Sequence, residues 1–456
     1  MYNNFSDIKK YRNSITQKDN TMKNIVTNNN FKKISLNNKV VQKSHHFYNN
    51  RLNKDELGVS DQHNSGRCWI FAFTNMIQRH MLKKYKIKEF NISHTYLSFW
   101  DKFEKCHTYL KRIEETKKLD INDRIMFNLL KQPIDDGGQW SMIVNIVNKY
   151  GVIPKSSMKE TYNSKNTEHL NYILNLKLRQ YAHKLRSKPI KKKTIFYMMK
   201  NIYKILVYFL GHPPKKINWT FVLKDTNKSS KHNKFTKHNK PSKHNKTKKR
   251  QYVYDVTPLD FYKNYVQFDI NNYVSLINAP SKVFYKKYQI KYNTNMYKEG
   301  VETEFINIPI DKIKDLVIQS LDKKEPVWFS CDFGQLNSEK HSLLYDNVFK
   351  YEDILDVKLF LDKKNALLYK QVEVNHAMLM VGYHKKKNKV TKWLVENSHG
   401  KLGSNNKGEY YMNDKWFDSY LFEIVVSKDY LDKKIKHIIT QKPVMLPMWD
   451  PFGDVA

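Results

Sequence analysis

Cysteine is scarce in this 456-residue sequence, which has only Cys68, Cys106 and Cys331. They stand 38 and 225 residues apart, so there is neither a CxxC pair to hold a metal nor an even set to build a disulfide framework. The expectation is a reducing, cytoplasmic compartment with no metal and no other cofactor. Long apolar runs are missing too. Residues 1–43 are rich in Asn and Lys and hold no stretch of signal-peptide kind. The most apolar segment, 194–210, carries Lys200 and Lys204 and is too short to span a bilayer, so a buried or amphipathic helix and no membrane association are expected. The third shortage is of acid: 44 Asp and Glu face 81 Lys and Arg, a formal charge of +37. Such a field attracts nucleic acid and other polyanions without sequence preference. Lys and Asn are abundant throughout, so general compositional drift accounts for the charge as well as a selected basic groove does.

What is present falls into segments. Residues 1–24 read as a disordered arm. Residues 25–160 read as a lead-in and a mainly helical half: apolar positions recur at three- and four-residue spacings from Cys68 to Tyr85, marking one helix face. A capped helix is expected over Ser93 to Phe103, and another over Ser141 to Tyr150, which ends at Gly151 after the turn Asp136-Gly137-Gly138-Gln139-Trp140. Residues 161–227 read as an insertion with two helices between Thr167 and Leu210. Residues 228–250 hold ten Lys or Arg, three His and no acid, with Lys-His-Asn-Lys repeated at 231, 237 and 243, so a disordered basic loop is expected. From 251 to 440 short β-rich runs dominate, at 274–277, 327–331, 373–383, 392–396, 408–412 and 421–426. Residues 441–456 form a tail. Helix first and sheet later implies an α+β protein with enough chain for a large core.

The chemistry centres on Gln62-His63-Asn64-Ser65-Gly66-Arg67-Cys68-Trp69. A cysteine at a helix N-terminus is stabilised as thiolate by the backbone N–H groups there, and it needs a base. His376 stands out among seventeen histidines because it sits in an apolar strand rather than a Lys- and Asn-rich surface stretch. A second strand, Trp393 to Asn397, follows a polar run that suits a hairpin connection. If that hairpin is symmetric about the Lys386–Lys387 bond, His376 and Asn397 face each other directly, and the Asn fixes the imidazole's orientation and tautomer. Gln62, with the backbone N–H of Cys68, supplies donors for a tetrahedral oxyanion. The expected reaction is acyl transfer through a thioester.

Several stretches, in one order, resemble the bleomycin hydrolase family, also called aminopeptidase C, among the papain-like cysteine peptidases. They include Ser65 to Trp69, Tyr96 to Lys105, Asp136 to Trp140, Gly151 to Lys155, Thr257 to Tyr262, Glu325 to Phe329, His376 to Met378, Val395 to Ser398 and Leu446 to Pro451. The resemblance implies a papain-like fold with a large helical insertion, a homohexamer enclosing its active sites, and a C-terminal tail lying in each cleft. It implies an aminopeptidase acting on peptides, with the carboxylate of Ala456 binding the substrate's α-ammonium. The Asp136 to Trp140 stretch reads by default as a turn with a buried Trp, and in the functional reading as a wall of the substrate cleft that includes Gly137 and Gly138. Some members are similar in binding nucleic acid. Where the family has Asn-Ser-Trp-Gly, this chain has Asn397-Ser398-His399-Gly400, so the cover over the His-Asn pair is a histidine. Asp454 adds a second negative charge near the tail end. The rival reading is a weakly active or inactive peptidase-fold protein that binds polyanions.

Overall fold

In the computed structural model, residues 5–52, 58–87, 89–187, 193–222, 250–401 and 407–453 are described. Helix α1 (Cys68–Tyr85) buries Trp69, Ile70, Phe73, Met76, Ile77 and Met81, the stripe its spacing predicts, and packs on the sheet below. Helix α2 (His94–Thr116) is capped by the Ser93 hydroxyl, which accepts from the Tyr96 N–H at 3.1 Å. It runs thirteen residues beyond Phe103, where the sequence reading ended it, because Cys106, Tyr109, Leu110 and Ile113 extend the buried face. Helix α3 (Trp140–Tyr150) stops at Gly151, whose φ of 68° suits a residue without a side chain.

The insertion contains the two expected helices, Glu168–Ser187 and Thr194–Leu210, each burying an apolar stripe and leaving its lysines outside. No helix of the described residues is long and apolar enough to cross a membrane. The basic block 228–250 lies outside the described residues apart from Arg250. It is bracketed by the paired strands Ile217–Val222 and Arg250–Val256. Where a disordered arm was expected at 1–24, the structure places helices Phe5–Asn13 and Gln17–Asn28, the second held by a Thr16–Asp19 capping box.

The β-rich half is a twelve-stranded, mostly antiparallel sheet. At its centre lie β1 (Val327–Cys331), β2 (His376–Lys386), β3 (Lys389–Glu396), β4 (Glu409–Asn413) and β5 (Leu421–Ser427). The spatial order is β5-β1-β2-β3-β4. Every residue of β1 is buried, as expected for a strand covered on both faces. The α+β class read from the sequence holds.

The symmetric hairpin does not. β2 and β3 meet at Lys386 and Lys389 across the two-residue turn Lys387-Asn388, both residues with positive φ (49° and 61°). Two register shifts, between Met380 and Gly382 and between His384 and Lys385, interrupt the ladder. At its inner end Leu379 pairs with Glu396, so the turn lies one residue later than symmetry predicted. Asn397 therefore stands diagonal to His376 rather than opposite it. A diagonal neighbour remains within reach of long polar side chains.

Candidate active site

Cys68 begins α1 and is 2% exposed. Trp328 on β1 donates its indole N–H to the Trp69 carbonyl at 3.2 Å, tying the first turn of the helix to the sheet. Burial pushes the thiol up to about 11, while the N–H groups of Ala377, Trp69 and Cys68 itself pull the other way by favouring the thiolate. Ala377 follows His376, so the backbone at the start of β2 meets the helix N-terminus.

His376 opens β2 and is buried. Its Nε2 donates to Asn397 Oδ1 at 2.7 Å, which assigns the Nε2–H tautomer and leaves Nδ1 as the basic nitrogen. Burial, and then the neighbouring His399, push this imidazole down to about 3, against the Asn397 hydrogen bond. Asn397 is fixed in turn: its N–H donates to the Gly408 carbonyl at 2.9 Å, and its Oδ1 also accepts from Ser398 N–H at 2.8 Å. Aromatic rings enclose the pair. Phe333 lies 4.7 Å and His399 4.9 Å from the His376 ring, and the Tyr410 hydroxyl stands beside the Asn397 amide.

Gln62 is held by the residue after the asparagine. Its Oε1 accepts from Ser398 Oγ at 2.5 Å, its Nε2 donates to the Ser65 carbonyl at 2.5 Å, and its backbone N–H donates to the Ser398 carbonyl at 2.8 Å. With the oxygen taken by Ser398, the amide NH2 faces the loop that carries Cys68, and its second hydrogen is the one suited to an oxyanion. Asp61 and His399 form a bridge alongside, so the Gln62 segment and the Asn397 segment run as one short antiparallel pair.

Gly137 and Gly138 follow Asp136, a residue that sequence reading left inside a turn. Its carboxylate accepts from the Gly66 N–H at 3.0 Å and is bound by Lys102 and Thr167, while its carbonyl accepts from the Trp69 indole at 2.8 Å. Burial works against that carboxylate, yet Lys102, Thr167 and the Gly66 N–H hold it well below the usual carboxylate range. Asp136 thus clamps the loop leading into Cys68. The signal available was an acid directly before Gly-Gly. A Cβ at Gly138 would sit 2.5 Å from the Trp69 ring, so only glycine lets the strip pass so close.

Ala456 lies outside the described residues. The tail is anchored up to Gly453: Phe452 is buried against Phe305 and Phe422, Asp450 pairs with Lys282 at 2.6 Å, and Asn293 Nδ2 donates to the Gly453 carbonyl at 2.7 Å. Gly453 lines a cavity of about 390 Å³ together with Lys105, Arg112, Asp135, Glu373 and Asn375. The described residues hold no His, Cys, Asp and Glu grouping that could bind a metal.

The model of the Peptidase C1-like family matches residues 3–453. The aminopeptidase C of Listeria monocytogenes serovar 1/2a is 36% identical over 405 residues, covering 87% of this chain and 86% of that protein. The human bleomycin hydrolase is 33% identical over 450 residues, covering 95% and 94%. The crystal structure of PepW from Lactobacillus rhamnosis HN001 superposes with a TM-score of 0.90 at 32% identity, covering 100% of this chain and 99% of that one.

Proposed function

From the premise that this chain belongs to the Peptidase C1-like family and is a cysteine aminopeptidase of the bleomycin hydrolase type, we infer that Cys68, His376, Asn397 and Gln62 carry its reaction. The observation that supports this most is the 2.7 Å bond from His376 Nε2 to Asn397 Oδ1, beside a cysteine at a helix N-terminus. His376 Nδ1 takes the Cys68 proton, and the thiolate attacks the carbonyl carbon of the substrate's first peptide bond. The carbonyl oxygen becomes an oxyanion that accepts from the Cys68 N–H and the Gln62 amide. His376 returns the proton to the departing amine, leaving a thioester. Water, deprotonated by His376, then releases the first residue and restores the thiol.

The aminopeptidase direction requires a group that holds the free α-ammonium, and we assign it to the carboxylate of Ala456, with Gly137 and Gly138 forming the cleft wall. The anchored course of the tail to Gly453, at a cavity lined by the residue before His376, supports that assignment. We further propose a cytoplasmic homohexamer, and weak non-specific attraction of nucleic acid from the +37 charge. The rival reading, an inactive peptidase-fold protein, has no support among the relatives.

The test is release of fluorophore from an aminoacyl amide. Wild type is expected to turn it over and Cys68→Ala to lose at least a thousandfold in kcat/KM, roughly the scale of nucleophile removal. Equal rates in the two proteins would overturn the assignment of Cys68.

A further inference from the structure

The cavity that Gly453 reaches contains four charged side chains, and three of them are matched. Lys105 is held by Asp101 at 3.0 Å, by Asp135 at 3.4 Å and by the Gly137 carbonyl. Asp135 takes Lys105 and the Gln132 amide. Arg112 pairs with Glu115 at 3.0 Å and stacks on Tyr292 and Tyr297. Glu373 is the exception. It is exposed to the cavity, makes no ion pair among the described residues, and accepts only from Asn375 Nδ2 at 3.3 Å.

Its position is nevertheless fixed. The Glu373 N–H donates to Asp332 Oδ2 at 3.1 Å, and Asp332 Oδ1 receives Asn375 Nδ2 at 2.8 Å, while Asn375 Oδ1 accepts from the Phe333 N–H at 3.0 Å. Asp332 itself is buried and spends its oxygens on donors from Gly334, Gln335, Glu373 and Asn375, so Glu373 is the carboxylate left facing the cavity. This negative corner sits three residues before His376. Resting on the aminopeptidase reading above, we propose that Glu373 is a specificity-determining residue that receives the cationic side chain of a substrate's first residue, so that peptides beginning with Lys or Arg are favoured. The cavity's volume suits one long side chain, and an uncompensated carboxylate in a partly enclosed pocket favours a guanidinium or ammonium partner.

The experiment compares Arg-, Lys- and Ala-aminoacyl fluorogenic amides on the full chain, in wild type and in Glu373→Gln. Glu373 is exposed, so the substitution leaves the core intact. The expected result is a KM for the Arg and Lys substrates raised about five- to tenfold, with kcat within about twofold and the Ala substrate unchanged. Glu373→Lys should reverse the order, lowering the Arg and Lys rates further and raising that of a Glu-aminoacyl amide. An equal loss on all three substrates would assign Glu373 to the shared α-ammonium and overturn the proposal, as would no change on any. Absence of turnover on every substrate by wild type would instead sink the aminopeptidase reading beneath it.

Discussion

Burial drives both halves of the proposed reacting pair toward their neutral forms, the Cys68 thiol up to about 11 and the His376 imidazole down to about 3. The active thiolate–imidazolium form therefore depends on what the pair's neighbours do to a positive ring. Asn397 helps by accepting from Nε2, and Asn397→Ala is expected to lower kcat roughly ten- to a hundredfold with KM little changed, as steady-state kinetics would read. His399 opposes. Its own burial keeps it neutral to lower pH than an ordinary histidine, with Glu339 and Asp61 working the other way. Once protonated, 4.9 Å from His376, it repels the imidazolium. That repulsion lowers the pH at which His376 takes up a proton, so the acid limb of the kcat/KM profile should shift to higher pH by about half a unit or more in His399→Trp, and an unmoved limb would remove His399 from the account. The roles proposed for Cys68 and Gln62 come from their local string, because a cysteine and the start of its helix are adjacent in sequence. Asp136, Phe333 and Ser398 were not, because clamping and covering a site are tasks that only tertiary contact assigns.

At the level of elements, periodicity located the helices well and the strands less well. Helical stripes show in sequence wherever a face is buried, so the six stripe positions of α1 are all buried, but Phe71, Ala72, Thr74, Gln78 and Leu82 are buried too, because the helix is covered on more than the face its spacing marks. The β2–β3 hairpin misled because polarity marks a turn without fixing its central residues: the turn falls at Lys387-Asn388, one residue later than symmetry gave, and the two register shifts cancel before the inner end. The diagonal bond to Asn397 survived that error. Two predictions belong here. Gly151 ends α3 at φ 68°, and an added Cβ would meet the Pro258 carbonyl oxygen at 2.2 Å, so Gly151→Ala should lose about 2–4 kcal/mol in denaturant unfolding. On β5, Glu423 is fully buried against Ser330, and burial lifts its carboxyl to about 7, with Ser275 and Ser330 pulling it back. A folded pKa above the unfolded one means stability that is present below about 4.5 and lost as pH rises through about 7. Glu423→Gln, which cannot ionise, should melt close to wild type at pH 5 and roughly 3 °C or more above it at pH 8.

For the molecule as a whole, class and order of halves were legible because helix and sheet signals separate along the chain, whereas the helices at 5–13 and 17–28 were hidden under an Asn- and Lys-rich composition typical of disorder. The proposed assembly is checked by native mass measurement, with six chains expected. The proposed tail role is checked by deleting residues 454–456, which should move cleavage from the first peptide bond to internal ones in a product map. The bond between Gln62 and Ser398 has one more consequence. Its ends lie 336 residues apart in sequence. Contacts of such separation are made late, since loop closure must precede them. A ribosome that has produced Cys68 has made a thiol without its proposed base, and one that has produced His376 has still not made Asn397. On the proposed site, the growing chain therefore has no complete peptidase until Asn397 has been made.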